Sequence, residues 1–154
     1  MVVERAEHAR ARGAKVWGQI DGYAVGFEPT LTSAAPVTTG IEATQRRALN
    51  LSRHDARAVS LVLASAHGTS VDRLERDAIR NVLGSDSAAR VFAPKVRLGE
   101  TFGASGALAL CLAAAPSLPA VGAGTDPSVV LINSLCYSGN VVSLLFTRAE
   151  GSHE

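Results

Sequence analysis

Short apolar runs alternate along the chain with segments in which apolar residues recur every three to four positions. The runs predict β-strands, and the longer spacing predicts amphipathic α-helices. Because the alternation continues from one end of the 154 residues to the other, it predicts an α/β fold in which helices cover a sheet. We expect one domain over residues 1–150 and a loose tail over residues 151–154.

Glycine, proline and the apolar periodicity set the boundaries of these elements. Pro29 and Pro36 place a loop over residues 27–40, which is long enough to be functional. Residues 58–66 are a continuous apolar run, which predicts a central strand buried on both faces. The predicted strands are a stub at 1–3, then 14–26, 58–66, 89–95, 127–134 and 141–149, the last two joined by a tight loop. The predicted helices are 4–12, 41–51, 71–83 and 103–115, of which the last is expected to be apolar and buried.

Composition and charge exclude several classes of partner. Hydrophobic residues make up 47% of the chain, and the formal net charge is +1 with scattered arginines, so we expect no nucleic acid partner. No leader is visible and the longest apolar run is shorter than the roughly 20 residues that cross a bilayer, so we expect no membrane partner and a cytoplasmic location. Cys111 and Cys136 lack a second pair of ligands, so we expect no zinc or other metal, no disulfide and no cofactor.

Polar residues that could take part in catalysis or binding follow the predicted strands. His67, Lys95 and the loop 135–140 each stand at such an end, and strand ends of open α/β sheets meet at one edge. A lone histidine at a strand end can be structural, but Gly68 would let backbone or substrate approach the His67 ring. Glu100 precedes an apolar helix, where a carboxylate commonly complements the helix dipole.

Four segments resemble, in family order, the C-terminal half of a β-ketoacyl synthase, a condensing enzyme of the thiolase-like superfamily. They are VVERAEHARARGAKVWGQIDGY, SAHGTS, KVRLGETFGASGA and INSLCYSGNVVSLLF, and they span nearly the whole chain. The resemblance implies half of a thiolase-like fold, a mixed sheet covered by helices and completed by a partner chain.

The same resemblance implies roles for individual residues. His67 matches the first active-site histidine, Lys95 the active-site lysine, and Tyr137 the aromatic gatekeeper of the glycine-rich loop. The substrate-binding candidates are Thr69, Asn133, Cys136, Tyr137, Ser138 and Gly139.

Glu100, the third candidate catalytic residue, stands where the family has its second histidine. That histidine donates a hydrogen bond to the oxygen that becomes negative when a malonyl thioester loses carbon dioxide. An ionised carboxylate only accepts hydrogen bonds, and like charges about 4 Å apart at an effective dielectric near 20 repel by roughly 4 kcal/mol, or about a thousandfold in rate. We therefore expect Glu100 either to pair with Lys95 or to cap the next helix, at a site no longer suited to ordinary decarboxylation.

No counterpart of the family's nucleophilic cysteine is expected in this chain, because that residue belongs to the first half of the fold. Cys111 is expected to be a small buried hydrophobe in its helix, and Cys136 stands where the family has glycine, so neither is a convincing substitute. The short spacing from His67 to Asp72 and Glu75 resembles that of chain-length-factor subunits.

An isolated half of this fold would expose the apolar faces of segments 58–66 and 107–115, more than a soluble monomer normally tolerates. We therefore expect an obligate hetero-oligomer with a ketosynthase N-terminal-half chain or a full ketosynthase chain, through an interface above about 2,000 Å². Three hypotheses remain open. The chain is a subunit of a split synthase acting on acyl carrier protein thioesters, a non-catalytic chain-length-factor-like or scaffold subunit, or a decayed or truncated fragment.

Overall fold

The structure, a computed structural model, describes residues 1–29, 39–66, 68–115 and 129–149. Its strands form one five-stranded sheet in the order β1-β5-β4-β2-β3. β5 pairs antiparallel with β1 and β4, whereas β2 pairs parallel with β4 and β3. The strands are β1 (Gly18–Phe27), β2 (Val59–Leu63), β3 (Arg90–Phe92), β4 (Val129–Leu135) and β5 (Asn140–Arg148). The predicted α/β fold with a mixed sheet is confirmed.

Helices pack on both faces of this sheet. Side chains of the central strand β2 alternate between two cores: Val62 packs in the core under α2 and α3, while Leu61 and Leu63 pack in the core under α5. All three are fully buried, as the apolar run predicted. The helices are α1 (Ala6–Ala11), α2 (Thr39–Ser52), α3 (Val71–Leu83), α4 (Lys95–Leu98) and α5 (Ser105–Ala114).

Helix α2 lies directly on the edge strand β1 because the strand presents small residues to it. A Cβ atom at Gly22 would lie 2.5 Å from the backbone nitrogen of Ser52 in α2. Since side chains alternate along a strand, the neighbouring Tyr23 and Val25 point to the opposite face of the sheet, where they are 63% and 60% exposed. This opposite face is the one that carries α5.

Two strand predictions were wrong in their bounds. Residues 1–3 are exposed and do not form a strand. The predicted strand 89–95 is limited to Arg90–Phe92, because Pro94 adopts helical backbone angles and leads into α4. Lys95 therefore lies on a short helix rather than on a strand.

Two burial predictions were also wrong. Segment 58–66 is not left uncovered in this chain, because helices pack over both faces of β2. Helix α5 is not buried all round: Ala109, Leu110 and Ala113 face its own sheet, but the Cys111 thiol is exposed. Cys111 is thus not the buried hydrophobe that the alanine-rich sequence suggested.

Several predictions lie outside the described residues. These are His67, residues 30–38 of the predicted loop, residues 127–128 at the start of a predicted strand, and the tail 151–154. Among the helices that the structure does describe, none is long and apolar enough to cross a membrane.

Candidate functional site

The candidate site lies at the carboxyl ends of the parallel strands β2 and β4. Ser65 follows β2, Asn133 lies near the end of β4, and Lys95 begins α4 just beyond β3. These three residues line one small cavity of about 10 Å³, roughly the space of one water molecule. Lys95 and Asn133 of β4 thus line one cavity at this edge of the sheet, and the meeting of Lys95 with His67 and the loop 135–140 stays a prediction.

Lys95 and Glu100 form an ion pair within this cavity region. Lys95 Nζ lies 3.1 Å from Glu100 Oε2, and the two side chains are 7% and 20% exposed. The second oxygen, Oε1, accepts hydrogen bonds from the Phe102 backbone N–H (2.7 Å) and from Ser105 Oγ (3.3 Å) at the start of α5. The predicted pairing with Lys95 is therefore present, while the predicted cap of the apolar helix is not: the Glu100 carboxylate accepts from the backbone of the 3-10 turn Phe102–Ala104 that precedes α5.

Glu75 is a third ionisable residue of the site, and its burial was not predicted. Its side chain is enclosed on α3, where Oε1 accepts hydrogen bonds from the Ser65 backbone N–H (2.9 Å) and from Asn133 Nδ2 (3.1 Å). Burial raises the pKa of Glu75, and these two hydrogen bonds and the charge of Lys95 offset only part of that shift. The sequence could have predicted this burial, because position 75 lies on the same helix face as the buried residues Ala78, Ile79 and Val82.

Asn133 connects α3 to the two antiparallel strands. Its Nδ2 donates to Glu75, and its Oδ1 accepts a 2.8 Å hydrogen bond from Ser143 Oγ on β5. Ser65 Oγ in turn accepts from the Leu135 backbone N–H at 3.1 Å. Buried polar side chains persist when they are hydrogen-bonded in this way, and the network fixes the ends of β2 and β4 relative to α3. The contact of Asn133 with a substrate stays a prediction.

The segment after β2 leads into α3. Gly68 has φ of 96°, a backbone conformation that suits glycine, and its N–H donates a 2.7 Å hydrogen bond to Asp72 Oδ2. Thr69 is exposed at the start of the helix. His67, the histidine that precedes them, lies outside the described residues, so its catalytic role stays a prediction.

The turn between β4 and β5 carries the remaining candidates. Cys136 and Tyr137 are exposed, and Ser138 Oγ donates a 3.3 Å hydrogen bond to the Cys136 sulfur. This hydrogen bond is the main cause of a lowered pKa for the Cys136 thiol, and the charge of Lys95 makes a smaller contribution. Gly139 has φ of 92° and closes the turn, its backbone N–H donating to the Cys136 carbonyl at 2.9 Å.

Within the described part of the chain, no group of three or more His, Cys, Asp or Glu side chains could hold a metal ion. The polar groups at the sheet edge are a lysine, two carboxylates, an amide and several hydroxyls. Such groups can donate and accept protons and stabilise developing charge.

Comparison with known proteins agrees with this geometry. Residues 17–116 match the family model "Beta-ketoacyl synthase, C-terminal domain", and the chain belongs to that family. The 3-oxoacyl-[acyl-carrier-protein] synthase 2 of Rhizobium meliloti (strain 1021) is 30% identical over 98% of this chain and 42% of its own length. The synthase of the same name from Mycobacterium tuberculosis (strain H37Rv) is 38% identical over 70% of this chain and 26% of its own length.

Solved structures show the same similarity in three dimensions. A β-ketoacyl synthase from Burkholderia phymatum superimposes with a TM-score of 0.81 at 27% identity, over 96% of this chain and 41% of that chain. The ishigamide ketosynthase/chain length factor superimposes with a TM-score of 0.79 at 25% identity, over 95% of this chain and 41% of that chain. The thiolase-like ketosynthase fold is confirmed, and the chain spans less than half the length of each of these relatives.

Proposed function

We propose that this chain is a subunit of a split β-ketoacyl synthase that acts on acyl carrier protein thioesters in fatty-acid or polyketide synthesis. The observation that carries the proposal is the buried Lys95 at the sheet edge where β2 and β4 end, in a domain of the β-ketoacyl synthase family. The carrier protein is inferred from the curated relatives, which are named for it.

In the proposed reaction, a cysteine of a partner chain holds the acyl group as a thioester. A malonyl thioester loses carbon dioxide, and the resulting carbanion attacks the acyl carbonyl carbon. A carbon–carbon bond forms, the bond from that carbon to sulfur breaks, and the cysteine leaves as a thiolate. His67 acts in decarboxylation or as acid and base, and Lys95 positions the substrate and stabilises charge.

The turn after β4 forms the acyl side of the site in this proposal. Tyr137, which is exposed in this chain, gates the acyl pocket, while Thr69 contacts the thioester arm. Asn133 contributes by holding the end of β4 in place through its hydrogen bonds to Glu75 and Ser143. The other residues proposed to line the substrate path are Cys136, Ser138 and Gly139.

An obligate hetero-oligomer is part of the proposal. The face of the sheet that carries α5 leaves Tyr23, Val25 and Phe27 more than half exposed. A contiguous apolar surface of this kind marks an interaction site rather than a solvated surface. The partner is a ketosynthase N-terminal-half chain or a full ketosynthase chain. The cytoplasmic location and the absence of a cofactor stay predictions.

A second candidate function is that of a non-catalytic, chain-length-factor-like or scaffold subunit. The observation that favours it is the fixed carboxylate of Glu100, which accepts from Lys95, Phe102 and Ser105 and so cannot donate to a developing enolate while ionised. One of the matched solved structures is described as a ketosynthase/chain length factor.

His67→Ala separates the two functions. In a purified complex of this chain with its ketosynthase partner, we expect kcat for condensation of acyl and malonyl thioesters to fall at least about 100-fold, the usual scale for loss of an acid–base group. His8→Ala is the matched control, since His8 is exposed on α1 and distant in sequence from the site. A complex that keeps full condensing and acyl-transfer activity after His67→Ala would reject the catalytic role and leave the scaffold function.

A further inference from the structure

A second cluster of polar side chains lies at the end of the sheet opposite the candidate site. Thr147 on β5 pairs with Val129, the first residue of β4, whereas the candidate site lies at the other end of that strand. Asp21 of β1 and His54, which follows α2, contact Thr147 there. The side chains of His54 and Asp21 are 27% and 15% exposed, so water reaches the cluster. The proposed reaction uses none of these residues.

A β-bulge directs Asp21 into this cluster. The register of β1 against β5 shifts between Ile20 and Gly22, which leaves Asp21 as an extra residue in the strand. Because side chains alternate along a regular strand, Asp21 would otherwise point to the same side as Tyr23. Its carboxylate instead contacts Thr147. Bulges commonly redirect a side chain in this way beside functional sites.

The end of helix α2 directs His54 into the same cluster. Arg53 has φ of 62°, in the left-handed region that is unfavourable for a residue with a Cβ atom. The next backbone N–H, that of His54, donates a 3.2 Å hydrogen bond to Ser52 Oγ. Strained backbone of this kind is found most often at functional sites. Two separate backbone irregularities thus bring a carboxylate and an imidazole together.

Three donor atoms converge in the cluster. Asp21 Oδ2 lies 3.0 Å from His54 Nε2 and 2.5 Å from Thr147 Oγ1, and Oγ1 lies 3.2 Å from Nε2. Neighbouring ligands of an octahedral ion, at about 2.1 Å from the metal, lie about 3.0 Å apart. The three atoms can therefore contact one ion from the same side and leave its other side to water.

A nucleophilic triad does not fit the same cluster. In such a triad the hydroxyl and the carboxylate contact different nitrogens of the histidine ring, whereas here both contact Nε2 of His54. The Thr147 hydroxyl also donates to Asp21 rather than to the ring. The arrangement is therefore unsuited to activating Thr147 as a nucleophile.

We propose that Asp21, His54 and Thr147 bind one divalent transition-metal ion such as Zn²⁺, with water as the remaining ligands. An imidazole ligand favours Zn²⁺ over Mg²⁺ and Ca²⁺, which prefer oxygen ligands alone. The ion joins the edge strand β1 to β5 and to the segment after α2. His54 is 33 positions from Asp21 and 93 positions from Thr147, so local sequence spacing does not reveal the site.

Isothermal titration calorimetry of the full chain without an affinity tag tests this proposal, with zinc chloride and magnesium chloride as probes. We expect one Zn²⁺ per chain, bound at least about 100-fold more tightly than Mg²⁺. Asp21→Asn and His54→Gln should each weaken Zn²⁺ binding at least about 100-fold, because loss of even an outer-shell partner costs about 10–100-fold. Zn²⁺ should raise the urea midpoint of the unsubstituted chain and leave that of the two variants unchanged.

Matched controls separate metal binding at this cluster from folding and from binding elsewhere. Thr147→Val keeps the size of the side chain but removes the hydroxyl, and it should weaken Zn²⁺ binding about tenfold. Thr147→Ser keeps the hydroxyl and should bind Zn²⁺ like the unsubstituted chain. His8→Gln and Cys136→Ser remove exposed potential ligands outside the cluster, so these variants should also bind Zn²⁺ normally.

Three results would overturn the proposal. The first is the absence of saturable Zn²⁺ binding by the unsubstituted chain. The second is unchanged binding by Asp21→Asn and His54→Gln, or its loss in His8→Gln or Cys136→Ser, because the ion would then lie elsewhere. The third is equal binding by Thr147→Val and Thr147→Ser, which would remove the hydroxyl from the ligands.

Discussion

At the scale of single residues, Gly139 shows how strictly the turn after β4 is specified. Its φ of 92° is unfavourable for residues with a Cβ atom, and a Cβ there would lie 2.7 Å from the Phe27 ring and 2.9 Å from the Glu28 carbonyl oxygen. We expect Gly139→Ala to lower the free energy of unfolding by about 2–3 kcal/mol through backbone strain and overpacking. Urea denaturation followed by circular dichroism measures this change.

Gly103→Ala is the matched control for that experiment. A Cβ at Gly103 would have open space around it, so the free energy of unfolding should change by no more than about 0.5 kcal/mol. Equal effects of the two substitutions would contradict the account of the turn.

Individual residues differ in how well the sequence predicts them. Lys95 and Glu100 are five positions apart and oppositely charged, and their pairing, one of two alternatives predicted for Glu100, is the one that the structure shows. The burial of Glu75 was missed because a carboxylate on an amphipathic helix is usually solvated. Its burial depends on hydrogen bonds that Ser65 and Asn133, from two other segments of the chain, donate to its carboxyl oxygen. Side chains whose partners come from distant segments cannot be placed from local pattern alone.

At the scale of elements, Glu75 couples helix α3 to the ends of β2 and β4, and this coupling should depend on pH. Burial raises the pKa of Glu75 above its ordinary 4.5, so the folded state binds this proton more tightly than the unfolded state does. The stabilisation is complete below the ordinary pKa and is lost as pH rises through the raised value. We expect the unsubstituted chain to lose stability relative to Glu75→Gln as pH increases from about 5, by at most about 1.4 kcal/mol per pH unit.

Urea denaturation of both proteins between pH 5 and pH 8 measures this difference. Glutamine retains an acceptor oxygen for Ser65 and Asn133 but has no proton to lose. Glu7→Gln, at an exposed position on α1, should follow the unsubstituted chain at every pH. Parallel pH profiles for the unsubstituted chain and Glu75→Gln would show that the buried carboxyl does not titrate in this range.

Helices and strands were predicted best where hydrophobic patterning alone determines them. The continuous apolar run predicted β2 and its burial on both faces. The strand predicted over 89–95 was too long, because Pro94 starts a helical turn that apolar content cannot reveal. Exposure of an apolar face of segment 107–115 was expected for an isolated half, but the exposure of Cys111 itself was not, since the alanine-rich sequence does not show which side of the helix its own sheet covers.

At the scale of the whole molecule, the two faces of the sheet differ in how fully helices cover them. The face under α2 and α3 is closed, and it holds the network of Glu75, Asn133 and Ser143 that fixes the strand ends. The face that carries α5 is half open and apolar. The closed face thus fixes the strand ends at the candidate site, while on the other face Tyr23 and Val25 stay exposed, and we propose that face as the surface for the partner chain.

In the assembled complex, the charge at position 100 should control malonyl decarboxylation. Lys95 is paired with the carboxylate of Glu100, so an enolate would form beside an acceptor rather than a donor while Glu100 is ionised. We expect Glu100→His to raise the rate of carbon dioxide release from a malonyl thioester at least about tenfold, and Glu100→Gln, which removes only the charge, to give a smaller gain. Mass measurement of each complex controls for assembly. If neither variant exceeds the unsubstituted complex, the repulsion by Glu100 is not what limits decarboxylation.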